Sequence, residues 1–189
     1  YSLLPGTGDS GNITINSSSG TVKTGYVDAP TNGRNGGAFE VSAFGDIDIN
    51  GRIGTWTDGT GNGGDITLTS KNGAITVTDH LHSGARSGNR RNGGAITLSA
   101  ANDINIASYL ESSSFSNAGD AGNAGAIYLS STGGSIITGG VNSYLGAYSS
   151  SNNGSAGNGG NISLFAANDI KINGDLSSDS NSQLVTGGN

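Results

Sequence analysis

Apolar residues in this chain come in pairs two positions apart, and the pairs recur in one wording. GNITI at Gly11 to Ile15 returns as GGAFEV at Gly36 to Val41 and GGDITL at Gly63 to Leu68. It then returns as GGAITL at Gly93 to Leu98, AGAIYL at Ala124 to Leu129 and GGNISL at Gly159 to Leu164. A second phrase follows each: TVKT from Thr21, DIDI from Asp46, AITV from Ala74, DINI from Asp103, SIIT from Ser135 and DIKI from Asp169. A period of two is the signature of a strand with one buried face, so Ile66 and Leu68 point inward and Asp65, Thr67 and Thr69 outward.

The first apolar residues of the two phrases are Ile13, Phe39, Ile66, Ile96, Ile127 and Ile162, then Val22, Ile47, Ile75, Ile104, Ile136 and Ile170; within each copy they lie 9, 8, 9, 8, 9 and 8 residues apart. So tight a spacing across a Gly, Asn or Ser-rich corner predicts two short strands joined by a fixed bend. A weaker third strand is predicted six residues on, at Ile53, Leu81, Leu110 and Leu176, with Leu145 displaced by three in the fifth copy. Fourteen of the sixteen Ile fill the first two inward slots, and only Ile53 and Ile137 lie elsewhere. No α-helix longer than a turn is predicted.

Strands apolar on one face cannot bury that face alone, but copies stacked about 4.8 Å apart can. The expected fold is all-β: a right-handed parallel β-helix (β-solenoid) of about six coils, one unit over residues 1–189, with the hand set by the usual chirality of parallel crossovers. Asn35, Asn62, Asn92, Asn123 and Asn158 recur three residues before each first strand and are expected to stack as a corner ladder bonded along the axis.

Composition narrows the function classes. With 35 Gly, 28 Ser and 22 Asn, the chain is unsuited to helices. Without Cys it has no disulfide or zinc–thiolate framework. A net charge of -6 argues against nucleic acid or an anionic membrane surface as partner, and no apolar run reaches transmembrane length.

The wording GNGGxIxLxAxNDIxI, complete from Gly157 to Ile172 and nearly so from Arg91 to Ile106, resembles the repeats of filamentous-haemagglutinin-like bacterial surface exoproteins. The Gly, Asn and Ser-rich style is most similar to cyanobacterial members. The resemblance spans residues 9–189 and implies export, a β-helical stalk and roles in adhesion, aggregation or surface filaments, with an extracellular or cell-surface location. It carries over no catalytic residue. The closing Thr186 to Asn189 repeats the phrase that opens the first strand at Gly159 to Asn161, so a segment of a longer or polymeric solenoid is expected.

Function is expected where the coil varies. Between the second strand and the next first strand the spacing grows through 17, 19, 21, 23 and 26 residues, so one side widens. It carries Trp56, His80, His82, Arg86, Arg90, Arg91, Tyr109, Glu111, Phe115, Tyr144 and Tyr148. These residues are candidates for an interaction face, with rings for sugars or a neighbouring rod and Arg for charge-assisted contacts. The plainer alternative is that the rings cover a poorly filled third side.

Catalysis is not expected. The outward column Thr21, Asp46, Ala74, Asp103, Ser135, Asp169 never sets acids on adjacent coils, and Asp at a corner suits backbone N–H capping. Calcium is a lesser alternative, since Asp46, Asp48, Asp103 and Asp169 offer oxygen ligands beside Asn102 and Asn168, although their spacing matches no known loop; His80 with His82 supplies only two metal ligands. Glu40 and Tyr128 break the outward column that would have to be a regular Thr array for ice binding. The expected function is an extracellular structural or adhesive solenoid that associates with itself, without cofactor; the alternative is a carbohydrate-binding, less readily carbohydrate-processing, module.

Overall fold

Alternation along each strand becomes alternation of burial: in Ile66–Ser70 the first, third and fifth residues are buried and the two Thr between them half-buried. The computed structural model describes residues 8–86, 90–140 and 143–183, and all its regular structure is strand. None of the described segments is a helix long and apolar enough to cross a membrane.

The strands form three parallel sheets, and the chain visits each in turn, once per coil. The first sheet stacks Ile13–Ser17, Phe39–Ala43, Ile66–Ser70, Ile96–Ala100, Ile127–Ser131 and Ile162–Ala166. The second stacks Val22–Thr24, Ile47–Ile49, Ile75–Val77, Ile104–Ile106, Ile136–Thr138 and Ile170–Ile172. In both sheets the twelve expected anchors pair with one another in register. Among the described residues the β-solenoid thus has six coils, and its axis is filled by a column of Ile, Leu, Val and Phe39 from the facing sheets.

In the third sheet Val27, Ile53, Leu81, Leu110, Leu145 and Leu176 stand in one row. The displaced Leu145 is therefore restored to register. Val27, which the spacing rule missed, starts the row one residue early.

The 9-to-8 alternation has a physical cause at the first corner. Coils one, three and five end their first strand in Ser17, Ser70 and Ser131, whose hydroxyls accept the N–H of Gly20, Gly73 and Gly134 at 3.2, 3.0 and 3.1 Å. Ser70 and Ser131 also donate to the carbonyls of Gly45 and Asn102 in the preceding coil, at 2.8 and 2.6 Å. Coils two, four and six end that strand in Ala43, Ala100 and Ala166 and make the shorter corner. From the short corners Asp46 and Asp103 accept the N–H of Ala74 and Ser135 in the next coil, at 2.8 and 2.7 Å. Long and short corners are thus complementary neighbours.

The widening side differs from expectation in kind. Its added residues enter the third sheet as strand, through Val27–Asp28, Ile53–Gly54, Leu81–Ala85, Leu110–Ser116 and Tyr144–Ser151. The stretch expected to return as a Gly, Ser and Asn loop can be buried strand because its inward hydroxyls, Ser116 apart, find acceptors. Thr55 and Ser83 donate to the Gly64 carbonyl at 2.6 Å, and Ser112 and Ser149 to Gly94 and Gly122 at 2.7 Å. Paired in this way, a buried hydroxyl escapes the desolvation penalty.

The Asn corner is a ladder whose Asn-to-Asn rungs run from side chain to backbone. The Oδ1 of Asn35, Asn62, Asn92 and Asn123 accepts the backbone N–H of Asn62, Asn92, Asn123 and Asn158, at 2.8 to 2.9 Å. Asp9 supplies the first rung, taking the N–H of Asn35 at 2.9 Å. An acceptor oxygen is all the rung requires, which is why Asp serves as well as Asn. The closing Thr186 to Asn189 phrase lies outside the described residues.

Candidate functional site

In-register parallel pairing sets the outward side chains of the third sheet in columns, one coil spacing of roughly 4.8 Å apart. One column precedes the inward row by a residue and carries Tyr26, Arg52, His80, Tyr109 and Tyr144. That spacing suits ring stacking. His80 lies on Tyr109 with centroids 4.3 Å apart and planes at 10°, and Tyr109 on Tyr144 at 5.1 Å and 4°. Further down, the Arg52 guanidinium sits 4.4 Å from the Tyr26 ring centre and 3.1 Å from Asp28. These rings face one another, so between His80 and Tyr144 the stack shows its edges to solvent.

The next column aligns Gly54, His82, Glu111 and Gly146. The glycines leave room for neighbouring rings. A Cβ on Gly146 would lie 3.0 Å from the Tyr144 ring and 3.4 Å from that of Tyr148, and one on Gly54 would lie 3.1 Å from the Trp56 Nε1. Beyond it run Gly84, Ser113 and Tyr148, with Trp56 one residue before the bridge that joins Thr57 to Ala85.

Glu111 is the centre of this face, a carboxylate only 6% exposed. Ser113 donates to its Oε1 at 2.6 Å, Tyr148 to the same oxygen at 2.9 Å, and Tyr144 to Oε2. His82 Nε2 lies 3.5 Å from Oε1. On the other side of the imidazole, Nδ1 faces the Arg86 guanidinium at 3.5 Å. Arg can only donate, so Nδ1 takes the acceptor role and the proton sits on Nε2, turned toward the carboxylate. Trp56 closes the set, stacked on His82 at 6.5 Å with Arg86 over its ring at 5.4 Å.

The electrostatics follow from burial and donors. Burial pushes His82 down to about 4, against the pull of Glu111, so the imidazole is neutral at pH 7. Burial acts to raise the Glu111 carboxyl, but His82 and the Ser113, Tyr144 and Tyr148 hydroxyls outweigh it and hold Glu111 below its ordinary range. Burial and the adjacent carboxylate push Tyr148 up to about 12 and raise Tyr144 further, so both phenols stay protonated donors.

Beside Glu111 lies a depression of about 300 Å3 lined by Arg86, Glu111, Ser113, Phe115 and Tyr148. Its wall offers a fixed acceptor, an exposed cationic donor and two apolar rings, a set suited to hydrogen-bonded recognition of a small polar ligand.

Of the sequence candidates, Trp56, His80, His82, Arg86, Tyr109, Tyr144 and Tyr148 share this face. Arg90 does not; it pairs with Asp120 at 3.0 Å on the exposed corner beside the Asn ladder. The Arg91 carbonyl accepts the Ser114 hydroxyl, so Arg91 also belongs to the corner. The basic run from His80 to Arg91 is therefore divided between two places. Asp46 and Asp103 are engaged in N–H caps, and Asp48 pairs with Lys23 at 3.2 Å. Among the described residues no three metal-binding side chains converge.

Missed by the sequence reading were the burial of Glu111 and the hydroxyl shell around it. Their signal was available only in the register, which places Glu111 between His82 and Gly146. Comparison with protein-family models, with curated proteins and with solved structures gives no match to this chain.

Proposed function

We propose that the protein is an extracellular structural or adhesive β-solenoid, part of a surface filament, fibril or exoprotein stalk, that associates end to end and laterally with itself. One observation carries this reading. On the sixth coil the inward anchors Ile170 and Leu176 are 46% and 56% exposed, whereas their counterparts Ile104 and Leu110 in the fourth coil are fully buried. Among the described residues no strand pairs with the outer edge of that coil. An open parallel edge with apolar anchors is a template for a further coil in the same register.

Lateral contact is supported by Tyr128 and Phe165, exposed and 5.6 Å apart on the first sheet. The wording shared with filamentous-haemagglutinin-like repeats supports the surface setting.

Light scattering and electron microscopy of the purified chain test the reading. Rods in multiples of one unit length are expected, and the pair Ile170→Lys and Leu176→Lys should reduce them to single units. A chain that stays monomeric at every concentration sinks it.

A further inference from the structure

The third-sheet strands do not need the residues that make up the Glu111 site. At the column of His82 and Glu111 the neighbouring coils carry Gly54 and Gly146, and they pair in the same register. A buried carboxylate costs several kcal/mol unless compensated, and here compensation draws in Ser113, Tyr144 and Tyr148. The chain thus concentrates its least repetitive chemistry at one place where the fold asks only for small residues.

We propose that the depression bounded by Arg86, Glu111, Ser113, Phe115 and Tyr148 binds one neutral sugar residue of a glycan, through a pair of adjacent hydroxyls. This goes beyond the rod reading and does not depend on it. A carboxylate offers about four acceptor positions. Oε1 accepts Ser113 and Tyr148, with His82 Nε2 near it at 3.5 Å without a hydrogen bond, and Oε2 accepts Tyr144, which leaves one position on Oε2. The Arg86 guanidinium, on the same depression, only donates.

A fixed acceptor and a fixed donor side by side match vicinal hydroxyls, each of which both gives and accepts. Phe115 and Tyr148 supply apolar surface for the C–H face of the ring. At about 300 Å3 the depression lies at the small end of ligand sites and takes one ring, not a long segment. Glu111 balances Arg86, and the protein carries a net charge of -6, so an anionic ligand is disfavoured.

The test is titration of the whole chain with soluble neutral polysaccharides (a β-glucan, a mannan, a galactan) and with polygalacturonate and dextran sulfate as acidic counterparts. At least one neutral glycan should bind with a dissociation constant of about 1 mM or tighter, insensitive to added salt. Arg86→Ala and Phe115→Ala should each weaken binding at least about tenfold. Phe44→Ser, which removes an exposed ring from the first corner, should leave it unchanged.

Circular dichroism and light scattering on each variant separate loss of binding from loss of fold or assembly. Arg86 is exposed, so its variant carries the test if Phe115→Ala unfolds. Absence of neutral glycan binding, binding of the acidic polymers alone with steep salt dependence, or full binding by Arg86→Ala would each overturn the proposal.

Discussion

Acidification should destabilise the fold through His82, and the size of the effect can be worked out. Buried His82 has a pKa of about 4 in the fold, against about 6.5 in an unfolded chain. The unfolded state therefore binds the extra proton first, and the stability that neutral His82 contributes above pH 6.5 is lost as pH falls toward 4. At pH 5 the unfolded imidazole is protonated by about 1.5 log units more than the folded one, a loss of about 2 kcal/mol relative to pH 7.5. With a urea slope of about 2 kcal/mol/M, the midpoint should drop by about 1 M.

Glu111, with its folded pKa lowered, adds a further loss only below its unfolded value of 4.5, and Asp28, raised by burial, acts in the opposite sense in the carboxylate range. The assay is urea unfolding at pH 7.5, 6 and 5, read by far-ultraviolet circular dichroism and by the fluorescence of Trp56. That single tryptophan lies on the His82 ring and reports the site itself. His82→Gln should abolish this part of the slope whatever it does to absolute stability. A parent curve flat from pH 7.5 to 5, or equal slopes in parent and variant, would refute the assignment.

Two further outcomes follow from the corners. Ser70→Ala should cost about 1–3 kcal/mol in thermal or urea melts, because it leaves the buried Gly73 N–H without its acceptor and removes the bond to the Gly45 carbonyl. Ser99→Ala, outward in the next coil, should stay within about 0.5 kcal/mol, and equal costs at the two sites would contradict the capping role. In the ladder, Asn92→Ala should cost about 0.5–1.5 kcal/mol through the lost acceptor for the Asn123 N–H. Asn92→Asp keeps the oxygen and should recover most of that, as Asp9 does naturally; an Asp variant as weak as the Ala variant would show that the rung is not an acceptor site.

The legible part of this molecule is its periodic part. Ile, Leu and Val at fixed offsets predicted twelve anchors and their pairing, because an apolar side chain two residues from another has few alternatives to one shared interior. Val27 escaped because a corner shortened by one residue breaks a rule based on offset. The buried Ser run from Ser112 to Ser114 escaped because small hydroxylated residues read as loop unless their acceptors, here the Gly94 and Arg91 carbonyls, are known. The environment of Glu111 was hidden for a related reason. Its donors Tyr144 and Tyr148 come from the next coil, at a register decided by the three-residue displacement before Leu145.

The alternation of corners gives the rod a grammar of two letters. Coils whose first two anchors lie nine residues apart end their first strand in Ser, those with a spacing of eight end it in Ala, and the bonds of Asp46 and Asp103 read from short to long. The true translational unit is then a pair of coils, roughly 10 Å along the axis instead of 5. The sixth coil is short and carries Asp169 in the column of Asp46 and Asp103; the first is long and carries Thr21 in the column of Ala74 and Ser135. Coils at odd and even positions thus have opposite parity, and any coil stacked on this pattern keeps its phase only if coils are counted in twos.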